Sequence, residues 1–150
     1  IYMVDHLSDS YLREIAGYFS SLHPPYPPPQ APDVAPAVLE KGRVLAHNGD
    51  PSRNVPACVA CHGQSMTGVE PAIPGLLGLP RDYLNSQLGA WKSGLRRAAQ
   101  PDCMAQIAGR LSADDISAVS GWLASRPFPE NAVPPTVSEK LPMQCGSVPR

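Results

Sequence analysis

The stretch Cys58-Val59-Ala60-Cys61-His62 governs how the rest of this chain is read. Two thiols three positions apart can form a redox pair, half of a zinc site, or two thioether anchors for a haem. The next residue discriminates between them. A histidine directly after the second cysteine sets an imidazole on the same short turn as both thiols. Covalent haem attachment needs that arrangement: two sulfurs reaching the vinyl groups on one porphyrin edge, and a ring nitrogen turned under the iron. A thioredoxin-like pair expects a βαβ setting, and a zinc site a second pair of similar spacing. Here the surrounding pattern is helical, and Cys103 and Cys145 stand far apart.

Composition points the same way. The 150 residues suit one ordinary domain, or a small one with tails. Twelve basic and 13 acidic side chains cancel to a net charge of -1 with no long block of one sign, so charge gives no basis for nucleic-acid binding. With 19 prolines and 6% aromatic residues the core is thin for the length, and a bound apolar cofactor would add buried surface that the side chains do not supply. The apolar runs are too short to cross a bilayer, and no transmembrane segment is expected. No signal peptide is visible, and Ile1 reads as a processed or cut N-terminus.

Outward from the motif, the periodicity predicts helices. Leu12, Ile15 and Phe19 follow Ser8 as N-cap. After the polyproline-prone segment 24–36, Val38, Gly42 and Leu45 share a face of a second helix that ends at Asn48-Gly49-Asp50. Beyond the motif comes a loop with Pro71, Pro74 and Pro80. Asp82 is expected to cap a helix bearing Leu84, Leu88 and Trp91. Ser112, with Asp115 three residues on, opens a last helix bearing Ile116, Val119 and Leu123. No segment alternates like a strand, and the tail from Arg126 reads as irregular. The first and last helical segments also resemble each other. LSDSYLREIAGYFSS (Leu7 to Ser21) matches LSADDISAVSGWLAS (Leu111 to Ser125) at Leu-Ser, at Gly and at the final Ser, with apolar residues replaced in kind at four further places.

The order of attachment motif, proline loop, aromatic helix (IPGLLGLPRDYLNSQLGAW) and Met before the last helix (MAQIAGRLSADDISAVSGWLAS) resembles the class I c-type cytochromes. The resemblance is strongest to the second haem domain of a cytochrome c4-type dihaem protein, and covers residues 36 to 128. It implies an all-α fold wrapped around one covalently bound haem c, with Gly42 of the first domain helix crossing the last near Trp122. It implies electron transfer between redox protein partners, without bond chemistry on a substrate, and a periplasmic or otherwise extracytoplasmic location. The domain expectations are a terminal helix of a preceding, mostly missing haem domain (1–22), a Pro-rich linker (23–35), the cytochrome domain (36–128) and an irregular Pro-rich tail (129–150).

For the iron, His62 is the expected ligand on one face and Met104 on the other. Met66 is too near His62 to wrap around the ring, Met143 lies in the tail, and Met104 has the reach and matches the family's ligand position. Pro74 resembles the proline whose carbonyl orients the axial histidine, with Pro71 as a rival. Tyr83, Trp91 and Arg96 resemble residues near the haem propionates. His6, His23 and His47 read as solvent-facing. Cys103 departs from the family pattern, and two readings stay open: a disulfide to Cys145, which persists outside the cytoplasm, or a thiolate or open sixth position that would make the chain a haem enzyme or sensor, for example in sulfur-compound oxidation.

Overall fold

Two helices crossing at a glycine organise the chain. The computed structural model describes residues 4–22, 24–129, 132–136 and 141–148. In chain order the helices are α1 (Asp9–Ser21), α2 (Pro36–Asn48), α3 (Val59–His62), α4 (Arg81–Lys92), α5 (Cys103–Arg110) and α6 (Ala113–Ala124), with a 3-10 turn at Pro51–Arg53 and two short strands, β1 (Gly68–Val69) and β2 (Ile73–Pro74). Helix α2 packs across α6, which also packs on α4, and α4 packs on α5. At the α2–α6 crossing a Cβ on Gly42 would lie 2.8 Å from the Trp122 Cβ and overlap the Ala118 carbonyl, so only glycine lets the backbones approach this closely.

The core gathers around α6, which is buried on nearly every side, and takes residues from α2, α3 and α4 and from the loops between the helices. Ala46, Val59, Met66, Leu77, Leu84, Val119, Trp122, Leu123 and Ala124 form its main cluster, and Val55, Leu111 and Ile116 a second one. Local chemistry sets the helix ends. Ser112 accepts the Asp115 amide while the Asp115 carboxylate accepts the Ser112 amide, a reciprocal cap that opens α6. Gly49 ends α2 with φ at +67°. Asp115, 1% exposed, also receives Lys41 of α2 at 2.8 Å and Arg53 of the 3-10 turn at 2.6 Å. One carboxylate thus ties three segments together.

Four features differ from the sequence reading or add to it. Asp82 is not the cap of α4: Pro80 holds the N-cap position, and Asp82 sits in the first turn, where a negative charge favours the helix dipole. The eight-residue helix α5 was not expected; Asp102 caps it by accepting the Ala105 amide at 2.9 Å. A two-residue antiparallel ladder, Gly68 with Pro74 and Val69 with Ile73, appears where no strand was anticipated. The proline-rich segment before α2 is extended, as its composition requires, but it lies on the domain surface. Tyr26 stacks on Phe128 with ring centroids 3.6 Å apart, the Gln30 amide donates to the Ala124 carbonyl at 2.9 Å, and Arg81 pairs with Asp33.

Helix α1 contrasts with the rest of the fold. Ser8 caps it as expected, yet it buries no residue. Tyr18 and Phe19 are 61% and 64% exposed, whereas Trp122 and Leu123, at the matching positions of α6, are 8% and 3% exposed. No helix among the described residues is long and apolar enough to cross a membrane.

Candidate haem site

The short helix α3 carries Val59, Ala60, Cys61 and His62, with Cys58 at its N-cap. Both thiols therefore sit on one turn beside the imidazole. Neither cysteine is in a disulfide, and both are partly buried. Burial pushes the Cys58 thiol up to about 11, with the neighbouring Cys61 adding to the shift. Burial also raises Cys61. A thiol pair used for disulfide exchange needs the opposite shift, toward thiolate at neutral pH. The site's chemistry therefore runs against the redox-pair reading.

His62 is 7% exposed, and its Nδ1 lies 2.7 Å from the Pro74 carbonyl oxygen. A carbonyl can only accept, so Nδ1 carries the proton and donates. Burial lowers the pKa of the imidazolium, opposed by this hydrogen bond, and the ring is neutral. Its Nε2 is left with a free lone pair, the form in which histidine binds a metal. The β1–β2 hairpin supplies the carbonyl at a fixed place, because Pro74 is the register partner of Gly68.

A second feature fits a prosthetic group. Along α4, the indole Nε1 of Trp91 and Oδ1 of Asn85 are buried with no hydrogen-bond partner among the described residues. The Arg96 guanidinium lies 4.2 Å from the centroid of the Trp91 ring. A buried N–H without an acceptor is costly, and a carboxylate-bearing group would satisfy it. The residues present therefore fit a haem: two thiols, one neutral imidazole with a free Nε2, and an unsatisfied N–H beside a guanidinium. No cluster of three or more His, Cys, Asp or Glu side chains that could hold a metal ion occurs among the described residues.

The structure brings together His62 with Pro74, Trp91 with Arg96, and Cys103 with Cys145. It leaves Tyr83 at 47% exposure near the start of α4. The carbonyl that His62 meets is that of Pro74, and Pro71, its rival, is exposed. Met104 is half-buried in the first turn of α5, Met143 is half-buried in the tail, and Met66 is a core residue at 2% exposure. Cys103 and Cys145 form a disulfide with their Cα atoms 5.1 Å apart, so the thiol required by a thiolate ligand is already engaged. His6 and His47 are exposed, His47 lying edge-on to Trp122 with centroids 5.3 Å apart, and His23 is outside the described residues. Asn85 was missed by sequence reasoning: it lies on α4 six residues before Trp91, a spacing that puts the two on different faces of a regular helix, so no periodic signal marks it.

The chain is similar to several known proteins. No protein-family model matches the chain. It is 35% identical over 126 residues to the thiosulfate dehydrogenase electron acceptor of Thiomonas intermedia, an alignment covering 84% of this chain and 57% of that protein. It is 35% identical over 69 residues to cytochrome c-554(548) of Halomonas halodenitrificans, covering 46% of this chain and 83% of that protein. Among solved structures, reduced cytochrome c4 from Pseudomonas stutzeri matches with a TM-score of 0.66 and 32% identity, over 82% of this chain and 63% of that one. The chain belongs to the c-type cytochromes, the haem proteins of electron transport. It spans little more than half the length of the first relative named. Within that class its domain is of the cytochrome c4 type.

Proposed function

We propose that the chain is an extracytoplasmic electron-transfer module, a carrier and not an enzyme, holding a single haem c. Cys58 and Cys61 would anchor it through thioether bonds, and His62 Nε2 and Met104 Sδ would be its iron ligands. The observation that carries this reading is the hydrogen bond from His62 Nδ1 to the Pro74 carbonyl, which fixes a neutral, oriented imidazole next to two thiols. The haem supplies a one-electron couple at its iron. The protein's task is to keep the surroundings unchanged as that charge alternates. Pro74 holds the His62 ring, the cluster of Val59, Leu77 and Leu84 excludes water, and Trp91 with Arg96 would receive the propionates.

Residues 1–22 are read as the last helix of a preceding haem domain, with 23–35 as linker, 36–128 as the cytochrome domain and 129–150 as a tail. The support for this division is the pairing of α1 with α6 in sequence and cap, combined with the exposure of the α1 face that α6 buries. A dehydrogenase acting on thiosulfate is proposed as the electron donor, by analogy with the relative from Thiomonas intermedia; the acceptor would be a further redox protein.

Acid-acetone extraction of the holoprotein, followed by intact-mass measurement, tests the site. One haem is expected to stay on each chain, and none on a Cys58→Ser/Cys61→Ser double variant. Haem extracted from the parent protein would show that no thioether forms.

A further inference from the structure

We propose that the C-terminal tail is a positioning strap that ties the start of α5, which carries Met104, to the hairpin that carries Pro74. The described tail residues form no helix, yet the tail is anchored at two places. At the first, the Glu70 amide donates to the Pro135 carbonyl at 2.8 Å, and Glu70 pairs with Thr136 in a parallel bridge. Glu70 lies between β1 and β2, four residues ahead of Pro74. At the second, Cys145 is bonded to Cys103, the residue before Met104. Beside that bond the Gly146 amide donates to the Pro101 carbonyl at 2.9 Å. This seam is closely fitted: a Cβ on Gly146 would lie 2.6 Å from the Ala99 carbonyl oxygen and overlap the Gln100 carbonyl.

Met104 needs such support because of where it sits. Helix α5 has eight residues, well short of the roughly 12–15 at which an isolated helix becomes even marginal, and Met104 is in its first turn, where helices fray. A neutral thioether is a weak ligand, and its occupancy depends on how firmly the chain holds it in reach. The Asp102 cap restrains the turn from one side, accepting the amides of Ala105 at 2.9 Å and Ala98 at 2.7 Å. The disulfide restrains it from the other. Eight residues lie between Thr136 and Cys145, so the two anchors, nine Cα–Cα steps apart, cannot separate beyond about 32 Å. The tail thus touches both the segment that carries Met104 and the hairpin whose Pro74 orients His62, outside the domain's helical core.

This inference rests on Met104 being the second axial ligand, and the test separates the two claims. Imidazole is titrated into the ferric holoprotein, and the midpoint potential and the weak red charge-transfer band of thioether-ligated ferric haem are read on the same samples. Met104→Ala should bind imidazole far more tightly than the parent and lose the band. If it behaves as the parent does, the ligand assignment fails and the strap falls with it. Cys103→Ser/Cys145→Ser, which leaves no free thiol beside the iron, should keep the band, lower the potential and bind imidazole about tenfold more tightly. Gly146→Val, which keeps the cysteines but forces the same seam apart, should shift affinity in the same direction, and it stands in if the serine double variant is not recovered with haem. If Met104→Ala responds while these variants keep the parental imidazole affinity and potential, losing only thermal stability, the strap is overturned.

Discussion

Gly42 of α2 stands so close to Trp122 of α6 that a Cβ added to it would lie 2.8 Å from the Trp122 Cβ. Alanine is the better helix former by about 1 kcal/mol. At Gly42, however, the added methyl meets a backbone carbonyl and a Cβ, neither of which can swing aside. Overpacking of this kind costs about 1–3 kcal/mol. Because the overlap is with backbone the clash falls at the upper end of that range, and Gly42→Ala should destabilise the holoprotein by about 2 kcal/mol in denaturant titrations once the propensity gain is set against it. A variant as stable as the parent would show that the two helices do not meet at this distance.

Asp115 should make stability depend on acid. Burial acts to raise its pKa, but hydrogen bonds from Arg53, Lys41 and Ser112 outweigh it and hold the carboxyl well below the usual carboxylate range. A depressed folded-state pKa gives stability that is fully present above the unfolded value, about 3.9, and is lost as pH falls through the folded one. The side chains of Lys41 and Arg53 are 47% and 38% exposed, so solvent screens part of each interaction. Asp115→Asn should lose about 2 kcal/mol at neutral pH, consistent with the loss of charged hydrogen bonds and part of a cap. Its denaturation midpoint should then vary less than the parent's below about pH 4.

Removing residues 1–22 should leave the unfolding free energy of the holoprotein within about 0.5 kcal/mol of the parent, because α1 buries no residue. Thermal and denaturant melts of the shortened and full chains give the comparison. A loss of several kcal/mol would mean that α1 packs on the domain.

The segment before α2 should be protected by its stacking on the domain. Tyr26→Ala removes a ring pair at 3.6 Å and 10°, worth about 0.5–1.5 kcal/mol beyond its buried area. Limited proteolysis at 24–35 should quicken in that variant while cleavage elsewhere stays unchanged. Equal rates would show that the stack contributes nothing to holding the segment.

The parts of the fold legible in sequence are those set by short-range signals. Ser8 and Ser112 announce helix starts because a hydroxyl that accepts an early amide works the same way in any context. Gly42 could be placed opposite Trp122 through the family resemblance. Helix α5 escaped because eight residues give too little periodicity, and because Asp102, its cap, follows a proline in what reads as a loop. Asp82 misled because it has the right residue type two positions inside the helix, where dipole and cap preferences overlap. The Asp115 network and the tail's grip on Glu70 join residues far apart in the chain, and no local pattern encodes such pairings.

The stacking of Tyr26 on Phe128 also sets a leash length. Helix α1 ends at Ser21, five residues before the ring that pins the chain to the domain. Even fully extended, that stretch spans no more than about 18 Å. Anything folded around α1 would therefore stay in the immediate neighbourhood of this cytochrome, at an effective concentration on the order of millimolar. Electron exchange between the two would then be insensitive to how dilute the protein is.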